Sequence, residues 1–301
     1  MDEIDFRLAD GRVLHGYDSA PGATDRLAVV WHHGTPNLGT PPAPLAAASE
    51  RLGIRWISFD RPGYGGSTAA PGRTVADVAT DLTAVLDTLG IGSFAQLGYS
   101  GGGTYALGAT ALLGNRTTAV ATLAAIAPYP TTTAHSTHSP GTAHSADTSA
   151  STAAAGLDWY GGMIASGVAS LRAAAAGRDA RMRNEEIEYD PEFTETDLAM
   201  FGGAWGWLGS VAGDKAMPNG PDGAVDDDCS YVLPWGCDPA AITAPTLLLH
   251  GTADRIIPCS HARWLAATIP TATLATHENL SHITILNQAD QALHWLHTHS
   301  T

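Results

Sequence analysis

The stretch Gly98-Tyr99-Ser100-Gly101-Gly102 decides how this chain is read. It has the spacing G-x-S-x-G, and its flanks carry as much information as its letters. Residues 93–97 (Ser-Phe-Ala-Gln-Leu) read as a short buried strand, and residues 103–113, rich in alanine and leucine, read as a helix. A serine held between a strand and a helix sits in a turn too tight for a Cβ at the flanking positions. Gly98, Gly101 and Gly102 leave that room. The Ser100 hydroxyl is then expected to project above the sheet edge at the positive end of the following helix, where developing negative charge is stabilised. The bland alternative is a glycine-rich turn with a surface serine, because short motifs also match by accident. The rest of the chain supplies the context that separates the two.

Outward from this turn, strand and helix patterns alternate. Residues 4–8 and 12–17 form a hairpin pattern around Ala9-Asp10-Gly11. Residues 26–32 are a nearly continuous apolar run, as expected of a strand buried on both faces, and end in His33-Gly34-Thr35-Pro36. Residues 41–52 read as a first helix. Residues 54–59 are another strand, closed by Asp60-Arg61-Pro62-Gly63-Tyr64-Gly65-Gly66-Ser67. Val75, Val78, Leu82, Val85, Leu86 and Leu89 recur at helical spacing between a threonine cap and Gly90. Beyond the serine turn, residues 119–127 are strand-like, and the pattern resumes late in the chain with a strand at 245–250 that ends in Gly251-Thr252-Ala253-Asp254. A helix at 260–269, a strand at 272–276, the loop His277-Glu278-Asn279-Leu280-Ser281-His282 and an amphipathic helix complete it. Such alternation predicts a mostly parallel central sheet with helices on both faces. Asp254 and His282 then lie in loops at carboxyl ends of parallel strands, the edge where Ser100 also lies.

Between the two halves the character changes. Residues 1–128 and 236–301 read as one α/β core, and residues 129–235 as an inserted, mainly helical cap. Within the insert, residues 131–155 are a Ser/Thr/Ala/His tract with almost no large apolar side chain, expected as a loop. His135, His138 and His144 lie in that tract without a rigid scaffold, so solvated histidines are favoured over a metal site. Aromatic residues of the insert, among them Trp159, Tyr160, Phe193, Phe201, Trp205 and Trp207, are expected to divide between its own core and a surface facing Ser100. Glu185, Glu186, Glu188 and Asp190 read as a solvated helix face, and Asp226-Asp227-Asp228 as part of a Gly/Pro-rich connection.

Composition bounds the function. The 301 residues carry a formal charge of -15, with a single lysine, Lys215, which argues against binding nucleic acid or an anionic membrane through bulk electrostatics. The acidic start Met1-Asp2-Glu3-Ile4-Asp5 has no signal-peptide pattern, and no apolar run reaches membrane-spanning length, so a cytoplasmic protein without membrane partners is expected. Cys229, Cys237 and Cys259 have no metal-ligand spacing and no disulfide framework; Cys229 and Cys237 are expected as thiols.

These landmarks resemble the α/β-hydrolase superfamily over nearly the full length. The resemblance rests on His33-Gly34-Thr35-Pro36, Asp60 to Ser67, the serine turn (the family's nucleophile elbow), His250-Gly251-Thr252-Ala253-Asp254 and Ser281-His282, in the order nucleophile, acid, histidine. Capped bacterial hydrolases of the prolyl aminopeptidase, haloperoxidase-like esterase and lactonase type are the most similar subgroups. The resemblance implies Ser100 as nucleophile, His282 as its base, Asp254 as the acid that orients the imidazole, and the backbone N–H groups of Thr35 and Gly101 as an oxyanion hole. Pro36, Tyr99, Trp205 and Trp207 are expected around the substrate. His277 is the weaker candidate for the base, Asp60 has a structural turn role, His32, His33 and His250 are expected as hydrogen-bonded core or loop residues, and Ser67 and Ser281 lack the elbow context. A serine at the elbow excludes the aspartate chemistry of epoxide hydrolases and dehalogenases. Prolyl aminopeptidases commonly have tryptophan after the nucleophile, whereas this chain has Gly101-Gly102-Gly103. No dinucleotide or phosphate loop is present, so no cofactor is implied. The expectation is a serine hydrolase acting on a small to medium ester or lactone through an acyl-enzyme. An aminopeptidase and a non-catalytic ligand receptor on the same fold are the alternatives.

Overall fold

The computed structural model describes residues 1–130, 156–187 and 189–300. The 131–155 tract with its three histidines, and Glu188, lie outside the described residues. Strands β1 (Asp2–Arg7) and β2 (Val13–Asp18) form the expected antiparallel hairpin, followed by β3 (Leu27–His32), β4 (Ile54–Phe59), β5 (Phe94–Tyr99), β6 (Thr117–Leu123), β7 (Thr246–Gly251) and β8 (Ala272–His277). They make one sheet of order β1-β2-β4-β3-β5-β6-β7-β8, antiparallel at β1, β2 and β4 and parallel from β4 onward. Every residue of β4, β5 and β7 is buried, which is why these segments lack a polar alternation. At the far edge β8 has only half-buried and exposed positions.

Helices cover both faces. In chain order they are α1 (Ala46–Arg51), α2 (Val75–Thr88), α3 (Gly101–Leu113), α4 (Ala165–Ala175), α5 (Arg178–Asn184), α6 (Glu195–Met200), α7 (Leu208–Val211), α8 (Asp222–Val232), α9 (Ser260–Thr268) and α10 (Ala289–Ser300). One core packs Val78, Leu82 and Leu86 of α2 and Tyr105 and Leu107 of α3 under the sheet. A second, on the opposite face, joins Ala48 of α1 to Leu293 and Leu296 of α10. The period-3.6 apolar stripe of α2 is the one read from the sequence, and Thr74 caps it in a reciprocal box with Asp77. Helices α4 to α8 all lie between β6 and β7 in the chain.

Three boundaries differ from expectation, each for a local reason. The helix expected at 41–52 starts only at Ala46, after a single turn of tighter helix at Ala43–Leu45, because Pro41, Pro42 and Pro44 have no N–H to give. The strand expected at 119–127 ends at Leu123, where Ala124 takes a positive φ of 55° and turns the chain. Asp226, Asp227 and Asp228 are not in a connection but inside α8, and Asp226 and Asp227 are fully buried. All three cysteines are free thiols. No helix among the described residues is long and apolar enough to cross a membrane.

Candidate active site

Parallel pairing puts the ends of β3, β5, β7 and β8 at one edge: His32 is in register with Gly98, and Gly251 with His277. Ser100 stands where β5 gives way to α3, with φ 55° and ψ -130°, a conformation that side chains rarely adopt. The surrounding crowding explains the glycines. A Cβ on Gly98 would stand 2.5 Å from the Gly102 carbonyl oxygen and 2.6 Å from the Gly103 Cα, so strand and helix could not approach.

Three residues distant in sequence meet at this turn. Ser100 Oγ is 3.0 Å from His282 Nε2, and His282 Nδ1 is 2.8 Å from Asp254 Oδ2. Asp254 is buried, and its Oδ1 accepts from the N–H groups of Ile256 and Ile257, both at 2.9 Å. Burial alone would push its carboxyl up, but the neighbouring His282 and His250 outweigh burial and hold it below the usual carboxylate range. A carboxylate accepts only, so Nδ1 of His282 carries the hydrogen and Nε2 is left to accept from the Ser100 hydroxyl. The alternative histidine, His277, is the last residue of β8 and has no part in this chain of bonds.

The remaining histidines of the strand ends are positional. His33 donates from Nδ1 to the Gly34 carbonyl at 2.8 Å and accepts at Nε2 from the Arg61 N–H at 3.0 Å. His32 is bonded to Gln96 Oε1 at 2.8 Å, and burial lowers its pKa to about 4. His250 bonds the Ile257 carbonyl at 2.7 Å, bracing the Asp254 loop. Asp60 accepts from the N–H groups of Gly39 and Gly66 and from Tyr17, closing its turn.

Thr35 follows β3, and its side chain is engaged from below by a buried ionic cluster absent from the sequence reading. Asp227 of α8 accepts from Thr35 at 2.5 Å, Arg61 at 2.6 Å, Arg73 at 2.6 Å, Tyr64 at 2.8 Å and Tyr105 at 2.6 Å. Burial opposes its ionisation, and the two guanidinium groups prevail and hold its pKa far below the usual range. Arg61 in turn donates to the carbonyls of both His33 and Gly34, fixing the strand end that carries Thr35. Each acid of the Asp run has an arginine: Asp226 bonds Arg178, Asp227 bonds Arg61 and Arg73, and Asp228 bonds Arg181. The only sequence sign of this pairing is that arginines near the landmarks, such as Arg61 and Arg73, fall where strands and turns are otherwise apolar.

Tyr231 of α8 reaches the same spot, its hydroxyl 2.7 Å from Thr35 Oγ1. A Cβ on Gly101 would collide with that hydroxyl, so glycine after the serine is required by a tyrosine from the insert. The N–H groups of Thr35 and Gly101 have no hydrogen-bond partner among the described residues.

A cavity of about 230 Å³ opens on Ser100, Gly101, Thr35 and Pro36. Ile126, Leu171, Met217, Ile256 and Ile257 make apolar walls, and Arg181, Glu185, Tyr189, Asp228 and Ser170 make a polar side. Glu185, expected on a solvated face, is therefore a cavity residue, paired with Arg181 at 2.5 Å. Of the expected pocket residues only Pro36 lines this cavity. Tyr99 lies behind the histidine, its hydroxyl donating to the His282 carbonyl at 3.2 Å. Trp205 and Trp207 pack edge to face, 6.3 Å apart, and belong to the core that α10 covers, because a strand-alternating side chain at 99 and a helical turn at 204–207 both face the sheet's other side. Among the described residues no group of three or more His, Cys, Asp or Glu side chains is arranged to hold a metal ion.

The chain is similar in fold to several solved structures. An esterase from Thermogutta terrifontis superposes with a TM-score of 0.65 at 19% identity, covering 100% of both chains. An enol-lactonase from Burkholderia xenovorans LB400 gives 0.63 at 17% identity over 95% of this chain and 96% of the other. A bromoperoxidase from Bacillus anthracis gives 0.62 at 18% identity over 98% and 99%. No curated protein sequence matches the chain. The family model described as the alpha/beta hydrolase fold matches residues 28–289, from the second residue of β3 through the serine, acid and histidine loops to the first residue of α10. The chain belongs to the α/β-hydrolase family.

Proposed function

We propose that this α/β hydrolase cleaves a carboxylic ester or lactone of a small to medium substrate through an acyl-enzyme on Ser100, with residues 129–235 acting as the cap over the site. The observation that carries the reading is the unbroken chain from Ser100 Oγ through His282 to Asp254, at 3.0 and 2.8 Å, beside a cavity that opens on the serine. As the Ser100 oxygen attacks the carbonyl carbon, its proton passes to His282 Nε2. Asp254 holds the imidazole tautomer and offsets the charge that forms. The unpartnered N–H groups of Thr35 and Gly101 are the donors for the tetrahedral oxyanion, each worth on the order of 3 kcal/mol in the transition state. His282 returns the proton to the leaving alcohol oxygen as its bond to carbon breaks. Water, deprotonated by the same nitrogen, then attacks the acyl carbon, and the bond to Ser100 breaks with return of the proton. In a lactone the leaving alcohol stays tethered to the acyl chain. A volume of about 230 Å³ lies below the usual range of roughly 300–1,000 Å³ for ligand sites, which favours small substrates. The esterase and enol-lactonase among the structural relatives agree with ester or lactone chemistry.

A second reading, aminopeptidase action, is favoured by one feature. Glu185 and Asp228 both pair with Arg181, so two carboxyl groups face one guanidinium on the cavity wall where a substrate ammonium would sit. The test is turnover of p-nitrophenyl acetate, butyrate, hexanoate and octanoate beside proline p-nitroanilide. Ester turnover is expected to fall off at the longer acyl chains and to drop roughly 10⁴-fold or more in Ser100→Ala. Anilide cleavage faster than ester cleavage selects the aminopeptidase instead, and ester turnover that survives Ser100→Ala removes the serine mechanism.

A further inference from the structure

His282 does not hold its place through Asp254 alone. It lies just before the tight helical turn Thr284–Gln288 that leads into α10, whose first N–H groups have no partner within the helix. A local cap would be the Ser281 hydroxyl accepting from Thr284. Instead the Ser281 hydroxyl donates outward, and a side chain of the insert takes over the capping. Asp197 of α6 accepts at a single oxygen, Oδ1, from Ser281 Oγ at 2.6 Å, Ile283 N at 2.9 Å and Thr284 N at 3.0 Å. These donors flank His282 on both sides in sequence. The other oxygen, Oδ2, closes Asp197's own helix by accepting from Thr194 N, and Thr194 Oγ1 accepts from Asp197 N in return. Asp197 is 2% exposed, unusual for the third residue of a short surface helix. It does not line the cavity at Ser100.

We infer that Asp197 is a positioning residue for His282, so that correct seating of the imidazole depends on docking of the insert through α6. The inference rests on the serine-hydrolase reading above. Its physical basis is that three buried donors beside His282 all converge on one carboxylate oxygen. Without that oxygen the Ile283 and Thr284 N–H groups are left unpaired, Ser281 Oγ keeps only the Thr284 and Thr194 hydroxyls, and the loop rebuilds to satisfy the two N–H groups. Proton transfer between Ser100 and His282 tolerates little of such movement, since misplacement by about 1 Å costs about 100-fold.

The test compares wild type, Asp197→Ala, Asp197→Asn and Ser281→Ala, each below its melting temperature, by the rate at which a fluorophosphonate labels Ser100 and by kcat and KM on p-nitrophenyl acetate. Asp197→Ala is expected to slow labelling and kcat by about 30-fold or more with KM within about twofold, because the cavity is untouched. Asp197→Asn keeps an acceptor oxygen for the three donors and is expected to recover most of the rate; Ser281→Ala removes one bond of three and is expected to lose about 3- to 10-fold. The low-field proton resonance of His282 Nδ1 is expected to shift or broaden in Asp197→Ala. A folded Asp197→Ala that labels at the wild-type rate overturns the inference, as does a loss carried by KM alone. Should Asp197→Ala fail to fold, Ser281→Ala decides, and an unchanged labelling rate in it overturns the inference. A wild type that is never labelled refutes the hydrolase reading instead, and the Nδ1 resonance then reports separately whether Asp197 seats the histidine.

Discussion

Asp227→Asn is the most informative single perturbation of the scaffold under the site. The side chain is isosteric, so no cavity forms; what is lost is one negative charge facing two guanidinium groups that are both 2% exposed. Arg73 keeps Asp226 at 3.7 Å, while Arg61 keeps only neutral acceptors, the His33 and Gly34 carbonyls and Thr35 Oγ1. Removing one partner from a buried pair costs about 3–5 kcal/mol, because the survivor remains desolvated and uncompensated. The loss at Arg61 alone supplies a cost of that size. For a chain this long, about 2 °C per kcal/mol converts it to a fall in melting temperature of roughly 6–10 °C. Urea denaturation at pH 7 measures the difference directly, with Glu50→Gln, half of an exposed pair with Arg26, as the control expected to show no change. Since Arg61 also holds the strand end that presents Thr35, ester turnover is expected to drop with stability. A variant within about 1 kcal/mol of wild type would refute the argument, because it would mean that Arg61 is solvated or re-paired without cost.

Two further outcomes follow from the same packing. Gly101→Ala drives a methyl group against the Tyr231 hydroxyl and within 2.9 Å of Thr35 Oγ1, both pinned through Asp227, so kcat/KM on p-nitrophenyl acetate is expected to fall about 100-fold; adding Tyr231→Phe makes room and should restore part of it, and full activity of the single variant would show that the hydroxyl moves freely. His32 and His261 are buried with pKa values lowered to about 4, chiefly by burial. The unfolded chain, with histidines near 6.5, therefore takes up protons first, and stability is expected to fall as pH drops from 6.5 to 4, by up to about 3 kcal/mol per histidine. Asp227 and Asp254 act in the same sense, with pKa values lowered by their partners, but their stabilisation is lost only at still lower pH. An unfolding free energy that stays flat between pH 6.5 and 4 would contradict the histidine assignment.

The sheet and the three residues at its edge were legible in the chain because their causes are local. Continuous apolar runs at 26–32, 54–59 and 245–250 have no stable home except a strand covered on both faces, and a glycine-bracketed serine between strand and helix fits few other turns. Parallel pairing then carries Ser100, Asp254 and His282 to one edge by topology alone, without knowledge of any side-chain contact. The Asp run resisted reading because charge is a surface signal until a partner is known. Asp226 and Asp227 became interior residues, and Asp228 a cavity-wall residue, only through Arg178, Arg61, Arg73 and Arg181, up to 166 positions away in the case of Asp227 and Arg61. The aromatic residues failed for a related reason: size and apolarity made Trp205 and Trp207 pocket candidates, but which face of the sheet they cover depends on where the insert folds back. Local sequence thus determined the elements, their order and the serine turn. Tertiary packing alone decided which buried charges are paired, why Gly101 must stay a glycine beneath Tyr231, and how Asp197 reaches across from the insert to the loop of His282, since each of these depends on contacts between segments that no local pattern relates.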